Sequence, residues 1–141
     1  MRRLGWWARC AVELVVQLQV LARIEWLVRR RGLPHACRAL GIELRLDGAA
    51  GHEPALIRRR YTAVVRAARV ATGGWPFGDT CLRRAMLLGS RMRAEHPVLR
   101  IGIRPDGAGT LAHAWIEIDG RTLDPTAPDF GPMLELDGER A

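Results

Sequence analysis

Lysine is absent, so all 22 side chains of fixed positive charge are arginines. Arginine favours bidentate contacts with anions, but a codon bias of the source genome is the simpler reason, and no partner is inferred from it. Cysteine is scarce. Cys10, Cys37 and Cys81 make an odd set with no CxxC spacing, which argues against a disulfide scaffold or structural zinc site and for a reducing cytoplasm. Long apolar runs are missing too. The opening stretch, MRRLGWWARCAVELVVQLQVLARIEW, starts with the cations of a signal peptide, but Glu13, Gln17, Gln19 and Arg23 interrupt each apolar segment before it reaches membrane-spanning length. A soluble helix is expected there, and membrane contact is not.

What remains is an ordinary globular composition, 48% hydrophobic and 26% charged over 141 residues, which fits a single domain over 1–141. Its charge is lopsided. Residues 1–72 hold 14 Arg against 5 acids, +9, and residues 73–141 hold 8 Arg against 10 acids, −2. A basic front half suits an acidic peptide, a partner protein or another anionic surface. The cluster RRRY at 58–61 reads as the solvated face of a helix, and a nucleic-acid partner is not expected.

From Leu4 to about Arg30, the apolar positions Leu4, Trp7, Ala11, Leu14, Val15, Leu18, Leu21, Ala22 and Val28 predict one helix face. RRRGLP ends that helix with cations, a glycine and a proline. A shorter helix is expected over 35–46, and DGAAGHEP reads as a loop. Pro54 suits the first turn of a third helix with Leu56, Ile57, Tyr61, Val64, Val65 and Ala68 inward. ATGGWPFGD breaks it, and TCLRRAMLLGSRMRAEH forms a fourth with Leu82, Ala85, Met86, Gly89 and Met92 on one stripe. After Pro97 the period becomes two. VLRIGIR and LAHAWIEI read as strands around a Pro-Asp-Gly loop, and RTLDP as a third. Helices followed by an antiparallel sheet give an α+β fold.

Three residues carry chemistry. Cys81 falls in the first turn of the fourth helix, with Asp79 or Thr80 as its N-cap. The helix dipole and free amides there favour an anion and can hold an oxyanion. His113 stands on the strand LAHAWIEI. Asp119-Gly120 is a preferred pair for a two-residue hairpin turn, which sets Glu117 opposite Thr122 and Trp115 opposite Asp124. His113, Trp115, Glu117 and Asp124 then share a face. Asp124 is the diagonal neighbour of His113, within reach of an imidazole–carboxylate bond. Cysteine, histidine and aspartate so placed match a nucleophile, base and orienting acid. Trp115 and Glu117 are candidate substrate-binding residues. GAGTLA leads into a strand and is no dinucleotide fingerprint. His35, Cys37 and His52 lack metal-ligand spacing, so no metal and no cofactor are expected.

The run CLRRAML…RIGIR…AHAWIEIDGRTLDP resembles the transglutaminase-like cysteine peptidases that process lasso-peptide precursors, over about residues 55–125. The resemblance implies a papain-like core with Cys81 as nucleophile, His113 as base and Asp124 as orienter. It also implies removal of a leader segment from a ribosomally made precursor peptide, before a separate macrolactam synthetase-like enzyme closes the ring. Some members carry a winged-helix-like leader-recognition module. Here the first seventy residues show no strand pattern, which implies the stand-alone form and a separate leader-recognition protein. The expected layout is therefore a helical, docking region over 1–50 and a catalytic core over 53–130. The alternatives are an acyltransferase of the same superfamily and a non-catalytic basic helical adaptor.

Overall fold

The computed structural model describes residues 2–46, 53 and 59–132. In chain order it contains α1 (Arg2–Arg31), α2 (Leu33–Leu40), β1 (Glu43–Arg45), α3 (Thr62–Gly73), α4 (Cys81–Arg91), β2 (Val98–Asp106), β3 (Gly109–Ile118), β4 (Arg121–Thr122) and β5 (Gly131–Pro132). The strands make one mixed sheet in the order β1-β2-β3-β4, with β5 on β2. Helix α4 lies against β3 and is flanked by α1 and α3. The core between them holds Leu21 and Ile24 from α1, Met86 and Leu87 from α4, and Leu99 and Ile116 from the sheet. The fold class is α+β, as the sequence implies.

Helix α1 keeps part of its expected face: Leu21 is buried and Leu14 and Val28 pack against the core. Trp7, Ala11, Val15, Leu18 and Ala22 are exposed instead, and Gln17, Ile24 and Leu27 are buried. Helical period identifies apolar stripes but not which of two stripes the rest of the chain covers. The adjacent tryptophans part company: Trp6 lies under the guanidinium of Arg66 on α3, while Trp7 points outward.

The helix expected over 35–46 is shorter. Gly41 takes the left-handed conformation, φ 73°, and its amide caps the carbonyls of Arg38 and Cys37, which ends α2 at Leu40. Residues 43–45 then form β1, parallel to β2 with Glu43 opposite Val98. The first seventy residues therefore do contribute a strand. Parallel pairing needs a long crossover, and α3 and α4 lie within it. Of the third helix's expected residues, Pro54, Leu56 and Ile57 lie outside the described residues, as does most of DGAAGHEP. Helix α3 begins at Thr62 after a 3₁₀ turn at Arg59–Tyr61, and buries Val64 and Ala68.

The β2–β3 turn falls at Gly107-Ala108, two residues later than the Pro-Asp-Gly loop predicts, and Gly107 supplies the positive φ of 57°. Pro105 and Asp106 therefore belong to β2, opposite Thr110 and Gly109. The second hairpin follows the expected register: Ile118 faces Arg121 and Glu117 faces Thr122. Asp119 (φ 52°) and Gly120 (φ 71°) form its tight turn, the left-handed pair that a twisted two-residue hairpin requires. Strand β4 stops at Thr122 and does not extend through the whole of RTLDP.

Candidate active site

Cys81 is the first residue of α4, and Thr80 is the N-cap, its side-chain oxygen accepting the Arg83 amide at 3.3 Å. Asp79 is not the cap; its carboxylate pairs with the Arg84 guanidinium, which offsets its negative charge beside the thiol. The amides of Cys81 and Leu82 precede the first intrahelical bond and remain available to an anion. The approach to this helix is fixed by Glu25 of α1, whose carboxylate accepts Trp75 Nε1 at 3.3 Å, pairs with Arg83, and lies 3.4 Å from Arg29. Arg29 also stacks over Phe77 at 4.3 Å. Those cations, Arg83 foremost, outweigh desolvation and hold the Glu25 carboxyl below the usual range.

His113 sits on β3 opposite Gly102. A side chain on Gly102 would meet Trp115 Cη2 at 2.8 Å and the Phe130 Cβ at 2.9 Å, so glycine is what lets the aromatic rings close over this part of the sheet. The His113 ring lies 4.9 Å from Phe130 and 6.0 Å from Trp115, nearly parallel to the latter at 25°. Its Nε2 is 2.7 Å from Asp124 Oδ2.

Asp124 reaches His113 because the ladder continues one step past β4: the Leu123 amide still bonds the Ile116 carbonyl at 2.9 Å. The chain then turns at Asp124-Pro125-Thr126. Thr126 donates to Asp124 Oδ1 from its amide at 2.8 Å and its hydroxyl at 2.7 Å. Thr122 Oγ1 accepts the Asp124 amide at 2.9 Å. Burial acts to raise the Asp124 carboxyl pKa, but the two Thr126 bonds and His113 together outweigh it and leave the group below its usual range. Thr126 and Phe130 are site residues that the sequence reading missed. For Thr126 a signal existed: aspartate two residues before a threonine is an Asx-turn pattern.

Cys81, His113 and Asp124 line one pocket of about 220 Å³, together with Val65, Arg69 and Leu88. Trp115 walls it and is almost wholly buried. Glu117, expected to bind substrate, is not among the lining residues. It is 1% exposed, and its two oxygens accept Arg100 Nε at 3.0 Å and Trp115 Nε1 at 3.2 Å. Its position on the His113 face follows the sequence, but its carboxylate is spent inside the sheet. Cys37 is buried and its thiol is pushed up to about 11 by desolvation, and Cys10 lies on α1 away from the pocket. Among the described residues no group of His, Cys, Asp and Glu could hold a metal ion, and no helix is long and apolar enough to cross a membrane.

A thiol at a helix start, an imidazole on a strand and a carboxylate holding that imidazole, all on one pocket, suit nucleophilic attack on a carbonyl. Comparison with known proteins agrees in kind. The family model described as the transglutaminase-like superfamily matches residues 16–135, from the middle of α1 to beyond β5. No curated protein and no solved structure matches the chain. With most of its length inside that match, the chain belongs to the transglutaminase-like superfamily.

Proposed function

We propose that the chain is a cysteine peptidase that removes the leader segment from a ribosomally made lasso-peptide precursor. Membership of the transglutaminase-like superfamily points to a cysteine peptidase or acyl-transfer activity; the lasso-peptide role rests on the resemblance of the Cys81, His113 and Asp124 motifs. The observation that carries a catalytic reading is the shared pocket of those three side chains, with His113 Nε2 held by Asp124 at 2.7 Å.

That bond supports one tautomer. An ionised Asp124 accepts Nε2–H, which leaves the Nδ1 lone pair to take the Cys81 proton. The thiolate attacks the scissile carbonyl, and the oxyanion forms beside the free amides at the start of α4. His113 returns the proton through Nδ1 to the departing amine, giving an acyl-thioester and a free amino terminus. Water, deprotonated by His113, then hydrolyses the thioester and regenerates the thiol. None of these steps calls for a metal or organic cofactor. The protein's partners in this reading are the precursor, a separate leader-recognition protein and the ring-closing synthetase-like enzyme. The reaction takes place in the cytoplasm, and 1–141 acts as one domain.

The test is cleavage of a ribosomally made lasso-peptide precursor, with a leader-recognition protein added, followed by mass spectrometry. Two fragments are expected with the native chain and none with Cys81→Ala, whose fold should survive loss of one half-buried sulfur. Cleavage by Cys81→Ala would overturn the proposal. An added amine appearing on the leader's new carboxyl end, in place of hydroxyl, would assign the chain to the acyltransferases instead.

A further inference from the structure

Helix α1 has a second apolar stripe that no described part of the chain covers. Trp7, Ala11, Val15, Leu18, Ala22 and Trp26 are all exposed, Trp7 by 65%, Val15 and Trp26 by 56% and Leu18 by 38%. At 3.6 residues per turn the six fall within an arc of about 100°. Their spacing of four, four, three, four and four repeats after eleven residues, the period that keeps a stripe on one face of a nearly straight helix. A helix needs one stripe for its own core; a second one running its length marks a contact surface.

The stripe reads the same from both ends in side-chain size: large, small, medium, medium, small, large. Positions 7 and 26, 11 and 22, and 15 and 18 are equidistant from a point between residues 16 and 17. Two copies of α1 laid antiparallel about a two-fold axis through that point set Trp7 on Trp26 of the partner subunit, Ala11 on Ala22 of the partner subunit, and Val15 on Leu18 of the partner subunit. Each tryptophan layer has an alanine layer beside it into which the indoles can lean. Such self-complementarity is what an isologous dimer contact requires.

We propose that this outward stripe of α1 is a homodimer interface, occupied by the same stripe of a second copy in antiparallel register. The exposed side chains provide roughly 500 Å² per chain, so the pair buries about 1,000 Å², the lower bound for a specific contact. The dimer is therefore weak and concentration-dependent. Charge opposes it, since each chain carries +7. Salt screens that repulsion and strengthens the dimer, whereas it weakens binding to an acidic protein or an anionic membrane. No residue of α1 lines the Cys81 pocket, so the contact leaves the site open and the inference independent of the proposed activity.

The test uses the full chain with Cys10→Ser and Cys81→Ser, into which Ala11→Cys or Ala22→Cys is placed. After mild oxidation, a mixture of the two variants should give a crosslinked dimer at least tenfold above either variant alone, since only 11 and 22 come within disulfide reach. Sedimentation velocity on the native chain should show a monomer–dimer equilibrium that shifts toward dimer from 50 to 500 mM salt and is lost in Trp7→Ser with Trp26→Ser. A chain that stays monomeric at several hundred micromolar overturns the proposal. So does self-crosslinking of Ala11→Cys, which means a parallel pair. Retention of the monomer on phosphatidylglycerol vesicles, released by salt, would assign the stripe to a membrane surface instead.

Discussion

Thr126 grips the one oxygen of Asp124 that His113 leaves free, with its amide at 2.8 Å and its hydroxyl at 2.7 Å. The hydroxyl also stands 3.5 Å from His113 Nε2. A charge-assisted hydrogen bond of this kind is worth about 1.5–3 kcal/mol. Thr126→Val keeps the shape and the amide bond but removes the hydroxyl. Precursor cleavage should slow by about tenfold, with Thr126→Ser restoring most of the rate. Equal rates for the native chain and Thr126→Val would mean that the amide alone fixes Asp124.

Three acids follow His113 within eleven residues, and the structure gives each a different part. Asp124→Asn presents an amide that no longer demands the productive tautomer, so the cleavage rate should fall by about 100-fold or more. Asp119→Asn should change nothing, since asparagine accepts the φ of 52° in this turn. Glu117→Gln replaces the charged acceptor of Arg100 with a neutral amide in a buried setting, and its loss should appear in stability, about 1.5–3 kcal/mol. Urea midpoints and single-turnover rates on the three variants separate the roles. An inactive Asp119→Asn with an active Asp124→Asn would require a different triad.

Gly102→Ala puts a methyl group where Trp115, Phe130 and the Gly131 carbonyl already stand, each within 2.9 Å. Overpacking of that kind costs about 1–3 kcal/mol. The displaced rings are those that flank His113, so the cleavage rate should fall along with the melting temperature. A stable Gly102→Ala protein of full activity would show that the aromatic box is not needed to place the imidazole.

The arginine run at the end of α1 is the candidate site for partner steering, and Arg29 must be kept in any test of it. Arg29, though exposed, braces the Cys81 approach through Glu25 and Phe77; Arg30 and Arg31 are exposed as well. Arg30→Gln with Arg31→Gln should slow partner-dependent cleavage several-fold at low salt and leave alkylation of Cys81 by iodoacetamide unchanged. If cleavage is unaffected and salt-independent, the run only caps the helix.

Stability should fall in acid. Arg91 holds Glu13 below the usual carboxyl range, Arg83 does the same for Glu25, and Thr126 and His113 lower Asp124 against its burial. A folded-state pKa below the unfolded value stabilises the fold at neutral pH. That contribution is lost as pH falls through the folded values. From these carboxylates the urea midpoint should drop below about pH 4. A midpoint that holds or rises below about pH 4 would contradict these assignments.

The sequence by itself determined the hairpin that builds the site. Asp119-Gly120 permits only a tight left-handed turn, and the period of two then carries Asp124 to the His113 face without reference to any other part of the chain. The start of α4 is equally local, since a capping threonine before a helical run places Cys81 in the first turn. Tertiary structure decided what depends on distant neighbours. Which stripe of α1 is buried depends on α3 and α4. Residues 43–45 become a strand because the start of β2 offers an open edge, although three residues carry no readable period. Glu117 stands on the predicted face, but Arg100 from the adjacent strand and the Trp115 indole take both its oxygens. Alternation fixes the side of a sheet on which a side chain lies; only the packed neighbours fix what its atoms touch.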